Sequence, residues 1–123
     1  MQKKILVVED DDSIQDILMI ILRKAGFTVN ILANGKPIIE GNYDLPDLFL
    51  IDKQLSGVDG ISLCRLLKKN SNTKKIPVIM MSAYPNIGEL SMAAGADGFI
   101  EKPFEVEKLL ASINKQIRER QPA

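Results

Sequence analysis

The sequence predicts an α/β domain: a doubly wound, five-stranded parallel sheet of order 2-1-3-4-5 with helices on both faces. Three observations lead there. Short apolar runs of strand length alternate five times with helical segments along 123 residues. The runs are apolar throughout rather than alternating, as in strands covered on both faces. Glycine, proline and acidic residues punctuate the strand-to-helix connections. Right-handed crossovers then place helices on both sides of a parallel sheet.

In order, Lys4-Ile-Leu-Val-Val8 is the first strand and stops at Glu9-Asp10-Asp11-Asp12. Ile14, Ile17, Leu18, Ile21, Leu22 and Ala25 then recur at helical spacing, with Asp11, Asp12 or Ser13 as cap and Gly26 as stop. Phe27 to Leu32 reads as the second strand, Asn34-Gly35 as a turn, and Pro37 opens a short helix through about Glu40. After the turn-rich stretch 41–46, Phe49-Leu-Ile-Asp52 is a buried third strand ending in a carboxylate. Gly57 and Gly60 follow, marking a tight connection or a close backbone approach.

A helix from about Asp59 carries Ile61, Leu63, Cys64, Leu66 and Leu67, and 68–75 reads as a polar loop of solvated lysines. Pro77 to Met81 is the fourth strand, ending at Ser82-Ala83, and Asn86 to Ala94 is a short helix closed by Gly95. Asp97 to Ile100 is the fifth strand, just before Lys102-Pro103. A last helix from Val106 to about Arg120 buries Leu109, Leu110, Ile113 and Ile117. At this length the arrangement is flavodoxin-like, with its switch point between strands 1 and 3. Residues 1–123 read as a single domain with no output domain following.

A chain of this length buries ~65% of its unfolded surface, enough for one core. Sixteen basic and sixteen acidic side chains cancel. No net field favours nucleic acid or an anionic membrane, so direct nucleic-acid binding and membrane insertion are not expected. No run approaches the ~18 apolar residues of a membrane span, nothing addresses the chain for export, and the expected location is cytoplasmic. The single cysteine, Cys64, rules out an internal disulfide and reads as a small core residue. Histidine is absent, which excludes imidazole acid–base catalysis, a Ser-His triad and a typical zinc site.

The strand ends carry the remaining chemistry. The first delivers Glu9 and Asp10, the third Asp52, the fourth Ser82 and the fifth Lys102. Each alone is explained by a cap, a turn or a surface charge. Together they project at one edge of a parallel sheet, where such folds bind ligands. Like charges at ~4 Å and an effective dielectric of ~20 cost on the order of 4 kcal/mol per pair. A divalent cation removes that cost, and an all-oxygen set favours Mg²⁺ or Mn²⁺. Glu9, Asp10, Asp52 and the backbone carbonyl of Gln54 are the candidate ligands, directly or through water. Asp52 could then attack phosphorus, with Lys102 and Ser82 stabilising the phosphoryl oxygens.

Over nearly its whole length the chain resembles the receiver domain of two-component response regulators. The resemblance rests on Val7-Val8-Glu9-Asp10, Leu50-Ile51-Asp52 with Gly57 and Asp59-Gly60, Ser82-Ala83, Gly95-Ala96-Asp97 and Lys102-Pro103-Phe104. It implies that Asp52 accepts a phosphoryl group from a phosphohistidine on a sensor histidine kinase or histidine phosphotransfer protein, for delivery of a signal to a downstream protein target. It implies that Asp10 is the more direct Mg²⁺ ligand, that Lys102 neutralises the phosphate across a cis Lys102-Pro103 bond, and that Ser82 and Phe99 form the switch. Such a domain promotes its own phosphorylation and dephosphorylation and is not a metabolic enzyme. Ser56 stands where the family often has proline, which suggests a less rigid loop. Between Ser82 and Lys102 the chain looks about two residues shorter than usual, with Pro85 and Gly88 at the fourth-helix entry.

Three other readings share the scaffold. A flavin-binding module needs a phosphate loop after the first strand, where Glu9 to Asp12 would repel a phosphate. An Asp-nucleophile phosphatase of the haloacid dehalogenase type wants a second acid where Gln54 stands. A phosphorylation-independent interaction domain leaves the acid, hydroxyl and lysine set without a purpose. On the first helix, Met19 and Ile20 lie off the core stripe and Ile14 sits beside the acids, an apolar patch suited either to packing alone or to a histidine-bearing helical partner.

Overall fold

The computed structural model describes residues 2–84 and 87–119. Five parallel strands form one sheet: β1 (Lys4–Val8), β2 (Thr28–Leu32), β3 (Leu48–Asp52), β4 (Val78–Ser82) and β5 (Gly98–Glu101). Their order is β2-β1-β3-β4-β5, as the sequence predicts. Between and after them run α1 (Asp12–Lys24), α2 (Lys36–Glu40), α3 (Gly60–Lys69), α4 (Ile87–Ala93) and α5 (Val106–Glu119). Pro85, Asn86 and Arg120 lie outside the described residues.

Side-chain alternation along each central strand divides the core in two. Ile5 and Val7, Leu48 and Leu50, and Ile79 and Met81 join Leu18 and Leu22 of α1 and Leu109, Ile113 and Ile117 of α5. Leu6 and Val8, Phe49 and Ile51, and Val78 and Met80 meet Ile38 of α2 and Ile61, Leu63, Cys64 and Leu67 of α3. Both faces are thus apolar, which is why the strands read as continuous hydrophobic runs.

Several boundaries move by a residue, each for a local reason. Pro77 precedes β4 and offers its carbonyl to Phe49 N at 2.9 Å. Asp97 precedes β5 because its carboxylate, not only its backbone, is engaged: Oδ2 accepts from Val78 N at 2.9 Å and from Lys68 Nζ at 2.6 Å. Lys68 and Lys69 belong to α3. Lys68 is not a solvated loop lysine, since its ammonium also donates to Ile76 O at 2.9 Å and Lys74 O at 3.3 Å. It straps the α3–β4 loop to the start of β5.

The apolar stripe of α1 is likewise shifted. Met19 packs against the core, so it is not part of an unpartnered patch. Ile17, at a stripe position, is 48% exposed instead. With Ile14, Ile21, Pro103 and Phe104 it lines an apolar groove beside Lys102.

Candidate functional site

The carboxyl ends of β1, β3, β4 and β5 bring the acidic, hydroxyl and lysine side chains to one edge. Glu9 follows β1, and its amide still bonds across to Leu32 O at 3.0 Å. That bond carries the side chain into the sheet edge, where it is fully buried. Asp11 caps α1 through Ile14 N at 3.0 Å, turning the chain away and leaving Asp10 exposed at the rim. Asp52 is the last residue of β3 and only 2% exposed. The next residue keeps pairing, with Lys53 N bonded to Met81 O at 2.9 Å, so the Asp52 backbone is held on both sides.

Lys102 reaches back from the end of β5. Its ammonium lies 2.8 Å from Glu9 Oε1 and 2.8 Å from Asp52 Oδ2. The Lys102–Pro103 bond is cis. Burial works against the ammonium, but bonds to Asp52 and Glu9 outweigh it and hold the Lys102 pKa above its ordinary value. Burial is also the main reason Glu9 is raised from 4.5 to about 7; its contact with Asp52 adds to the rise and Lys102 opposes it.

Because the folded-state value is the higher one, neutral Glu9 favours the fold. That contribution is fully present below about pH 4.5 and is lost as pH rises to about 7. In chelator, unfolding free energy is therefore expected to fall by up to about 3 kcal/mol between pH 5 and 8. Glu9→Gln should flatten that slope in urea titrations; an unchanged slope would contradict the assignment.

Glu9, Asp10 and Asp52 each offer an oxygen, and these atoms all lie within 4.8 Å of one another. Three carboxylates at that spacing, in an all-oxygen set, fit a hard divalent cation such as Mg²⁺ or Mn²⁺. Asp10 also borders an open cleft lined by Gln54, Leu55, Ser56 and Gly57.

Ser82 is buried at the end of β4 but does not bond to Asp52. Its hydroxyl donates to Gln54 Oε1 at 3.3 Å, while its oxygen accepts from Tyr84 N and from Gln54 Nε2, each at 3.1 Å. Gln54 N in turn donates to Asp52 Oδ1 at 3.1 Å. Gln54 thus touches the candidate nucleophile through its backbone and the hydroxyl through its side chain. Phe99 is half-buried, packs against the α3-side core, and has its ring close to Gly88 of α4.

Sequence reasoning missed two contacts here. One is the Gln54–Ser82 bond. The other is Ser56, whose N–H and hydroxyl both donate to Asp10 Oδ2 at 3.2 Å. The loop expected to be looser is therefore tied to the acid cluster.

The model of the response regulator receiver domain matches residues 5–114. The DNA-binding response regulator MtrA of Mycolicibacterium smegmatis is 35% identical over 121 residues, 96% of this chain and 52% of MtrA. The chain spans about half the length of the curated relatives it matches. The signal receiver domain of a signal transduction histidine kinase from Syntrophus aciditrophicus superimposes with a TM-score of 0.90 at 29% identity, covering 98% of this chain and 94% of that one. The receiver domain of sensor histidine kinase PA1611 from Pseudomonas aeruginosa gives 0.86 at 26% identity, over 96% of this chain and 99% of that one. That structure has a magnesium ion coordinated in its active site cleft. With a matching model across most of its length and the acid–lysine cluster at the sheet edge, this chain belongs to the response regulator receiver domain family.

Proposed function

We propose that Asp52 accepts a phosphoryl group from a phosphohistidine of a partner kinase or phosphotransfer protein, in a Mg²⁺-dependent reaction. The observation that carries this is the buried Asp52 carboxylate at a strand end, 2.8 Å from the Lys102 ammonium and grouped with Glu9 and Asp10. Asp52 forms the new P–O bond while the P–N bond breaks, and the imidazole nitrogen leaves with the electron pair. Lys102 stays beside the product and balances its charge. Glu9, Asp10, Asp52 and the Gln54 carbonyl would hold the cation, which supplies charge neutralisation between the acids and the phosphoryl oxygens.

Ser82 and Phe99 are the proposed switch. For Ser82 to donate to a phosphoryl oxygen, its hydroxyl must leave Gln54. Phe99, half-buried beside α4, would then follow inward. The groove of Ile14, Ile17, Ile21, Pro103 and Phe104 adjoins Lys102 and suits a helical partner carrying the phosphohistidine. Ile14→Arg should slow transfer from such a partner without affecting a small phosphodonor. Receiver domains are regulatory rather than classical enzymes. Among the described residues no helix is long and apolar enough to cross a membrane.

The experiment is incubation with acetyl phosphate and Mg²⁺, followed by intact mass. The parent protein should gain one phosphoryl group, and Asp52→Ala or added chelator should abolish the gain. A phosphorylated Asp52→Ala protein would overturn the reading.

A further inference from the structure

Two loops far apart in sequence meet at Asp10. Ser56, 46 residues away in the β3–α3 connection, aims two donors at one oxygen of that carboxylate: its backbone N–H and its hydroxyl, each at 3.2 Å. Asp10 is the exposed member of the acid group, whereas Glu9 and Asp52 are buried and held by Lys102. With no cation present, repulsion from the neighbouring Asp52 carboxylate pushes Asp10 outward, and exposure leaves it free to rotate. A neutral double donor opposes both tendencies without adding charge. A carboxylate has about four lone-pair sites, so two bonds at Oδ2 leave the other oxygen open to a cation.

We propose that Ser56 is a positioning residue for the divalent cation, its hydroxyl holding the Asp10 carboxylate in ligating range of Glu9 and Asp52. This rests on the cation-dependent reading above. Its consequence is an affinity that depends on a side chain that is not itself a ligand. Partners of this kind orient metal-binding carboxylates, and removing one typically weakens binding by ~10- to 100-fold. Here the Ser56 N–H remains after truncation and the site is exposed, so the expected loss is smaller, about 3- to 10-fold.

The test is calorimetric titration of Mg²⁺ alone into the full chain, for the parent, Ser56→Ala and Ser56→Thr. Ser56→Ala should weaken Mg²⁺ binding several-fold, and Ser56→Thr, which keeps the hydroxyl, should restore it. Melting temperatures in chelator should be equal for all three, separating a role at the cation from a role in folding. Equal affinities for parent and Ser56→Ala, or a Ser56→Thr protein as weak as Ser56→Ala, would overturn the proposal alone. A parent protein that binds no Mg²⁺ would overturn both the proposal and the reading beneath it.

Discussion

Lys102→Met is expected to lose about 3 kcal/mol of stability at pH 8 in chelator, and distinctly less at pH 6. The ammonium it removes is the shared cation of two buried acids, at 2.8 Å from each. Deleting one partner of a buried ionic group strands the others, and that exceeds the loss of the contacts themselves. Glu9 provides an escape because its pKa is already raised. Without Lys102 opposing the rise it moves higher still, so at pH 6 it is neutral and most of the repulsion is absent. The deficit then grows as pH rises, a steeper decline than the parent shows. Mg²⁺ should recover part of the stability by binding the folded state alone. The rate of phosphoryl gain from acetyl phosphate should fall by about 10²-fold, the order seen when one stabilising donor is removed from a reacting centre. Urea titrations at both pH values, with intact mass for the rate, decide it. Parent-like stability at pH 8 would show that Lys102 is not the counter-ion.

Gly60→Ala has the second large expected effect, and its cause is steric. A Cβ at Gly60 would collide with Asp52 O and lie 2.8 Å from Lys53 Cα and 2.9 Å from Asp52 C. These are backbone atoms, so no side-chain rotation relieves the contact. Either α3 lifts from the end of β3 or the Asp52 backbone shifts. Overpacking of this kind costs about 1–3 kcal/mol, and a rigid backbone neighbour places it at the upper end. The Gly60 N–H bond to Lys53 O, at 3.1 Å, would be strained as well. Phosphoryl gain should fall along with stability, because the displaced segment carries Asp52. Thermal unfolding and intact mass measure both; a fully stable, fully reactive Gly60→Ala protein would refute the close approach.

The sheet was legible because its central strands are apolar on both faces and each ends at a marked residue. Asp52 and Lys102 could be placed at strand ends from those endings alone, and the parallel order then brought them to the same edge. What could not be read were contacts set by three-dimensional approach. Gln54 finds Ser82 across 28 positions, and Ser56 finds Asp10 across 46. Neither glutamine nor serine in a loop carries a periodic signal that announces such a partner. Lys68 departs from the sequence expectation for a related reason. It sits in a lysine-rich stretch that looks solvated, yet a single turn at the end of α3 aims it at Asp97 and two carbonyls. Ile20 is exposed, as a residue off the core stripe should be, but Met19 packs against the core, and Ile17 instead lines a groove with Pro103 and Phe104.

The most direct single measurement is chemical mapping of the phosphorylated residue. After acetyl phosphate and Mg²⁺, borohydride reduces an acyl phosphate to an alcohol, and peptide mass spectrometry locates the change. Conversion to homoserine at position 52 and nowhere else is the expected result. Homoserine at position 10 or 59, or an intact phosphate ester on Ser82, would mean that the buried carboxylate beside Lys102 is not where phosphorus bonds.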